Sequence, residues 1–201
     1  IGYAADALGS DRNAMMLSAH AQNGWDYGRE RSLFVTTAAT ARVEDDGLRN
    51  AVLSAEARFY ARTSDNTKFF ATVNGAVTEA LDANQQLLLG GEEGLRGYPL
   101  RYQAGTSRAL LTLEQRYYTG WYPFRLFHVA GAAFFDMGRT WGTDVTGATS
   151  DGLLKDVGVG LRLGSSRSAF GNVVHIDLAF PLDGGDDIDS VQFVVETKVR
   201  F

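Results

Sequence analysis

Along the chain, segments of about ten residues alternate apolar with small or polar positions, the period-2 pattern of half-buried strands. The C-terminal segment is the plainest. Val191, Phe193, Val195, Thr197, Val199 and Phe201 share one face, while Gln192, Glu196, Lys198 and Arg200 share the other. The same division sets Val157, Val159, Leu161 and Leu163 against Asp156, Gly158, Gly160 and Arg162, and Val174, Ile176, Leu178 and Phe180 against His175 and Asp177. It also sets Leu53, Ala55, Ala57, Phe59 and Ala61 against Ser54, Glu56, Arg58, Tyr60 and Arg62. Counting back from Phe201, the pattern predicts strands at 189–201, 172–182, 154–164, 124–137, 105–119, 66–80, 48–63 and 31–43, eight in all. Ala14 to Gln22 also alternates, and Ile1 to Leu8 reads as the end of another strand before a Gly9-Ser10-Asp11 turn. No stretch carries a convincing helical stripe, so the fold class is all-β and antiparallel.

Alternation alone does not name the solvent on the apolar face. The connections do more: short at Ser64 to Asn66, long at Asp82 to Gly105, short and aromatic at Thr119 to Pro123, long at Gly138 to Lys155. Short turns on one side and long loops on the other are the pattern of an outer-membrane barrel, and a soluble barrel is the rival. Trp121 and Tyr122, beside Tyr117 and Tyr118, suit an interfacial aromatic girdle. The polar faces mix Arg, Lys, Asp and Glu in near balance, as expected where they neighbour one another in a polar lumen.

Composition narrows the classes further. Glycine at 23, proline at 3 and aromatics at 11% of 201 residues suit strands and tight turns. The apolar run Val129 to Phe135 stops at His128 and Asp136, so no segment reaches the roughly 18 apolar residues of a membrane helix. Cysteine is absent, which excludes disulfides and Cys-ligated zinc. A net charge of −5 excludes an electrostatic nucleic-acid footprint. His20, His128 and His175 have no H-E-x-x-H spacing and read as wall filling, so no metal or other cofactor is expected. No G-x-S-x-G elbow or G-K-[ST] phosphate loop occurs, and no catalytic residue is assigned. Glu114 and Asp136 as a glycosidase pair are less economical than as arginine partners. The acidic run Asp183 to Asp189 reads as a solvated turn.

The loop segment Gly90-Gly91-Glu92-Glu93-Gly94-Leu95-Arg96-Gly97-Tyr98 resembles the (V/I/L)-R-G-(F/Y) loop of the BamA/TamA/FhaC superfamily of outer-membrane insertases and two-partner-secretion transporters. Phe134-Phe135-Asp136-Met137-Gly138 is similar to the F-x-D-x-G strand motif of that family, and the ending on Phe201 resembles its C-terminal assembly signal. The resemblance covers residues 31–201, and five predicted strands follow the loop, as in the family. It implies that residues 31–201 form a transmembrane barrel, with the long loop 82–105 carrying Arg96, Gly97 and Tyr98. Residues 1–30 are then an N-terminal segment or the remnant of an upstream strand. The chain reads as an eight-stranded barrel or as the C-terminal half of a 16-stranded one.

The resemblance also implies that the loop folds into the lumen and that acidic wall groups hold its arginine. A guanidinium suits this because its planar fork binds a carboxylate at two points. Asp136 is the first expected partner and Glu114, inward if Leu111 and Leu113 face lipid, the second; Tyr98 is expected beside the ion pair. The rival reading is a flexible surface loop with a solvated Arg96. The implied role is insertion or translocation of polypeptides across the bacterial outer membrane, by strand pairing rather than bond chemistry. Residues 1–30 show no βααββ pattern of the periplasmic substrate-capturing module. Other expectations therefore stand beside it: a membrane anchor for an N-terminal enzyme, as in patatin-like relatives, or a passive structural barrel or pore. The partners implied are outer-membrane lipid and lipopolysaccharide, polypeptide substrates, the barrel-assembly machinery acting on the C-terminal strand, and further copies in a homo-oligomer.

Overall fold

The computed structural model describes residues 1–4, 13–82, 85–142, 152–166, 172–184 and 188–199. It contains β1 (Gly2–Ala4), β2 (Ala14–Asp26), β3 (Arg31–Glu44), β4 (Gly47–Arg62), β5 (Thr67–Glu79), β6 (Leu87–Leu89) and β7 (Gln103–Gly105). There follow β8 (Ser107–Tyr118), β9 (Phe127–Trp141), β10 (Leu154–Ser165), β11 (Asn172–Pro181) and β12 (Gln192–Val199). Ten strands form one antiparallel meander in the order β1-β2-β3-β4-β5-β8-β9-β10-β11-β12, and β6 and β7 form a separate small hairpin.

Across β2 to β10 the registers join mainly even-numbered residues into one inner face, which continues on odd-numbered residues of β11 and even-numbered residues of β12. Glu56 opposes Asn74, Thr72 opposes Thr112, Glu114 opposes Phe134, Asp156 opposes Asp136, and Arg162 opposes His175. The alternate positions make the outer face, where Leu53, Val73, Val159, Val195 and Phe193 are exposed. A sheet whose exposed outer face is apolar while its inner face is charged matches a hydrocarbon exterior and a polar lumen. Tyr117 and Trp121 are exposed where β8 ends, and Trp121 and Tyr122 occupy the following turn.

The small apolar core lies against the inner face. Leu89, Leu95, Tyr98 and Leu154 are buried together, with Tyr102, Leu110 and Ile188 around them. Loop residues thus supply most of it, because strand side chains pointing inward are largely polar.

The structure corrects three expectations. Among the described residues the sheet has ten strands where about eight were expected, because the alternation at Ala14 continues to Asp26 in register with β3 and Gly2–Ala4 adds a short outer strand. The described sheet is open, with β1 and β12 as its edges, rather than closed into a barrel. Residues 124–126 do not begin a strand. Pro123–Arg125 form a 3-10 turn with Phe124 at φ 53, so β9 starts at Phe127 and runs on to Trp141. Within the long loop, the β6–β7 hairpin was not foreseen, since three-residue strands are too short to show a period.

Candidate functional site

Loop residues 90–98 enter the concavity of the sheet, and their local chemistry explains why. Gly90 at φ 117 and Gly94 at φ 91 close a tight reversal around the 3-10 turn Gly91–Glu93. A Cβ on Gly94 would meet Leu110 Cδ2 at 2.3 Å, so a side chain there would have to displace Leu110 as well as adopt a left-handed backbone. Leu95 sits at φ 63, a conformation strained for a branched side chain, and its burial in the core holds it. The next residue, Arg96, is thereby aimed at the wall.

Arg96 is buried at 5% exposure and reaches carboxylates on three strands. Its Nε donates to Asp136 Oδ2 at 2.7 Å and its Nη2 to Asp136 Oδ1 at 3.1 Å, the two-point contact that a planar guanidinium allows. Its Nη1 donates to Glu114 Oε2 at 3.0 Å and to Asp177 Oδ2 at 3.1 Å. Beneath it the Phe134 ring lies 3.4 Å from Cζ. Burial by itself lowers the guanidinium pKa, but Asp136, then Glu114 and Asp177, outweigh it and raise the pKa above its usual value.

Two further arginines lock the acceptors. Arg162 grips Glu114 at two points, Nε to Oε1 at 3.0 Å and Nη2 to Oε2 at 2.6 Å, and donates from Nη1 to Asp177 at 2.5 Å. Arg116 Nε donates to Glu114 Oε1 at 2.5 Å. Glu114 therefore accepts from three guanidiniums. β10 leaves room for them: a Cβ on Gly160 would lie 1.7 Å from Asp177 Oδ1 and 2.9 Å from Arg162 Nη1.

Each motif residue has a physical place. Gly97 N–H donates to Asp156 Oδ2 at 3.1 Å, and a Cβ on Gly97 would be 2.6 Å from the Asp156 Cβ. Gly138 shares the inner face with Phe134 and Asp136, and a Cβ there would meet Leu89 Cδ2 at 3.0 Å. The spacing F-x-D-x-G thus lines up a ring, a carboxylate and a gap along one strand face. Tyr98 departs from expectation, because Phe134 rather than Tyr98 flanks the guanidinium. The Tyr98 hydroxyl lies 2.8 Å from the Lys155 carbonyl and 2.7 Å from that of Asp183, and its ring packs on Tyr102. It pins the loop to the ends of β10 and β11, and burial raises its pKa despite those backbone contacts.

Asp156, Arg162, Asp177 and Arg116 were not singled out from the sequence as partners of the loop, although all four stood on the polar faces of alternating strands; which of them meet depends on register. A second loop anchor also escaped notice: buried Gln103 accepts from the Thr140 N–H at 3.0 Å and donates to the Gly152 carbonyl at 3.0 Å. His175 is buried in the wall, His128 stacks on Tyr122 at 4.4 Å, and His20 is exposed on β2. Among the described residues no cluster of three His, Asp or Glu side chains is placed to hold a metal ion. Phe201, the expected C-terminal signal, and residues 185–187 of the acidic run lie outside the described residues.

An antiparallel meander with an apolar exterior, a charged interior and a loop tethered inside it defines the wall of an outer-membrane β-barrel. The chain belongs to the Omp85 superfamily, whose domain model matches residues 5–198. Its members, which include the BamA/TamA/FhaC-type barrels, are bacterial outer-membrane proteins of the insertase and transporter class. No curated protein matches the chain.

Proposed function

We propose that this chain forms the wall of a protein that inserts or translocates polypeptides at the bacterial outer membrane. The observation that carries the reading is Arg96, a loop residue held by Glu114, Asp136 and Asp177 from three separate strands. Such a tether braces β8 to β11 from inside and leaves the sheet edges free of it. Along β12 and the part of β2 beyond β1, main-chain groups face no partner strand within the described residues. In lipid each unmade backbone hydrogen bond costs several kcal/mol, so an edge of this kind templates an incoming strand without a chemical fuel.

The test is reconstitution of the chain in liposomes, followed by the folding of a small unfolded outer-membrane protein read as its heat-modifiable band. The chain should speed that folding several-fold over empty liposomes, and Arg96→Ala should remove most of the gain. No acceleration by chain that is itself rich in strand would reject the reading and leave the anchoring or passive roles.

A further inference from the structure

At the short-turn end of the sheet, away from the Arg96 loop, the inner face opens into a cavity of about 740 Å³. Its lining includes Arg29, Arg62, Lys68, Arg116 and Arg162 but only two carboxylates, Glu30 and Asp65. Three of the cations stand in one row: Arg62 is directly opposite Lys68 on the next strand, and Lys68 is directly opposite Arg116 on the one after. Adjacent strands are about 4.8 Å apart, so the row places three positive groups side by side. Like charges directly opposite one another destabilise a sheet.

Protein carboxylates relieve this row only in part. Arg116 binds Glu114, and Arg62 binds Asp65, a fully solvated turn residue with 97% side-chain exposure. Lys68 has an aromatic neighbour, its Nζ lying 5.1 Å from the Tyr118 ring centroid. Neither Lys68 nor Arg29 forms an ion pair among the described residues. Phe70, under Arg116 at 4.1 Å, and Tyr60 add ring faces to the same cavity. Towards the other end of the sheet the carboxylates are matched by arginines, Asp82 by Arg42, Asp46 by Arg49 and Glu93 by Arg108. The unmatched positive charge is therefore concentrated in the cavity at the short turns.

We propose that this mouth binds an acidic, extended polypeptide segment, whose carboxylates bridge the Arg62–Lys68–Arg116 row and whose apolar side chains rest on Tyr60 and Phe70. A carboxylate placed between neighbouring cations supplies the counter-charge that the wall lacks, and the Arg62–Lys68–Arg116 row lies on the inner face, away from the apolar exterior. This names the substrate class and rests on the function proposed above.

The test uses the full chain refolded in detergent and fluorescent peptides of equal length that are Glu/Asp-rich, Lys-rich or neutral. The acidic peptide should bind at least about tenfold tighter than the neutral one, weaken steeply with salt, and lose about tenfold with Lys68→Glu or Arg29→Glu. Lys68→Gln, which adds no repulsion and spares the fold, should give a smaller loss, and Arg101→Glu on the opposite rim should give none. Equal binding of all three peptides, or acidic binding untouched by the Lys68 and Arg29 variants, would overturn the proposal. So would preferential binding of a single-stranded oligonucleotide, which would make the mouth a general polyanion site. Acidic-peptide binding without any acceleration of folding in liposomes would sink the functional reading alone, whereas acceleration without acidic preference would sink this one alone.

Discussion

Arg96 is the residue on which most of the inner wall converges, and its removal has a calculable sign. With the loop docked, Glu114, Asp136, Asp156 and Asp177 face Arg96, Arg116 and Arg162. Without Arg96, Asp136 loses its two-point partner while standing directly opposite Asp156. Breaking a buried pair by removing one member costs about 3–5 kcal/mol, most of it from the charge left behind. Arg96→Met is therefore expected to lower stability by roughly 3 kcal/mol, read as the urea midpoint in detergent. Adding Asp136→Asn should return part of that loss, because it removes the stranded charge. If the double variant is less stable than Arg96→Met by the full cost of Asp136→Asn alone, the two residues are not coupled and the tether is not electrostatic. Arg96→Lys should fall between, since an ammonium keeps the charge but not the fork that spans both Asp136 oxygens.

At the scale of the element, β10 shows what the alternation conveys and what it hides. Val157, Val159, Leu161 and Leu163 marked the outer face plainly, and Asp156 and Arg162 the inner one, so the strand and its orientation were legible within a residue or two. The purpose of Gly158 and Gly160 was not. A Cβ on Gly158 would lie 2.2 Å from the Phe134 ring and 2.4 Å from the Leu178 carbonyl, contacts made by strands on either side. Such gaps exist only once register is set, and period-2 patterning carries no register. The same limit separated the two expected partners of Arg96 from Asp177, which lies 81 positions away in sequence. Asp136 was readable because its motif neighbours share its strand, whereas Asp177 needed two more strand pairings. The glycines give a direct check. Gly158→Ala is expected to destabilise by about 1–3 kcal/mol through overpacking, whereas Gly131→Ala, with nothing within 4 Å of the added carbon, should stay within about 0.5 kcal/mol. Equal effects on the thermal midpoint would mean that the Phe134 ring and the wall beside it shift freely.

For the whole molecule, strand order and the inward direction of the charged face followed from alternation and loop lengths, but closure did not. Nothing local states how many strands a wall must have. That depends on what the interior must hold, and an eight-stranded barrel has room only for its own side chains. Here the interior takes in a loop with a buried core of Leu89, Leu95, Tyr98 and Leu154, and the ten-stranded sheet curves around it without β1 meeting β12. Two edges exposed to lipid are costly, so in a micelle or bilayer they must find partners. Closing one copy on itself would require β12 to pair with β1 or β2, a pairing the described sheet does not make. Pairing between copies leaves the Arg96 contacts in place. The 201-residue chain refolded in detergent is therefore expected to run, unboiled, as a strand-rich band larger than one 21.8 kDa copy, and to collapse to monomer on boiling. Paired cysteines introduced at exposed edge positions Phe193 and Ala21 should cross-link between copies in this cysteine-free background. A compact monomeric band with the same cross-link formed within one chain would instead mean that the sheet closes on itself.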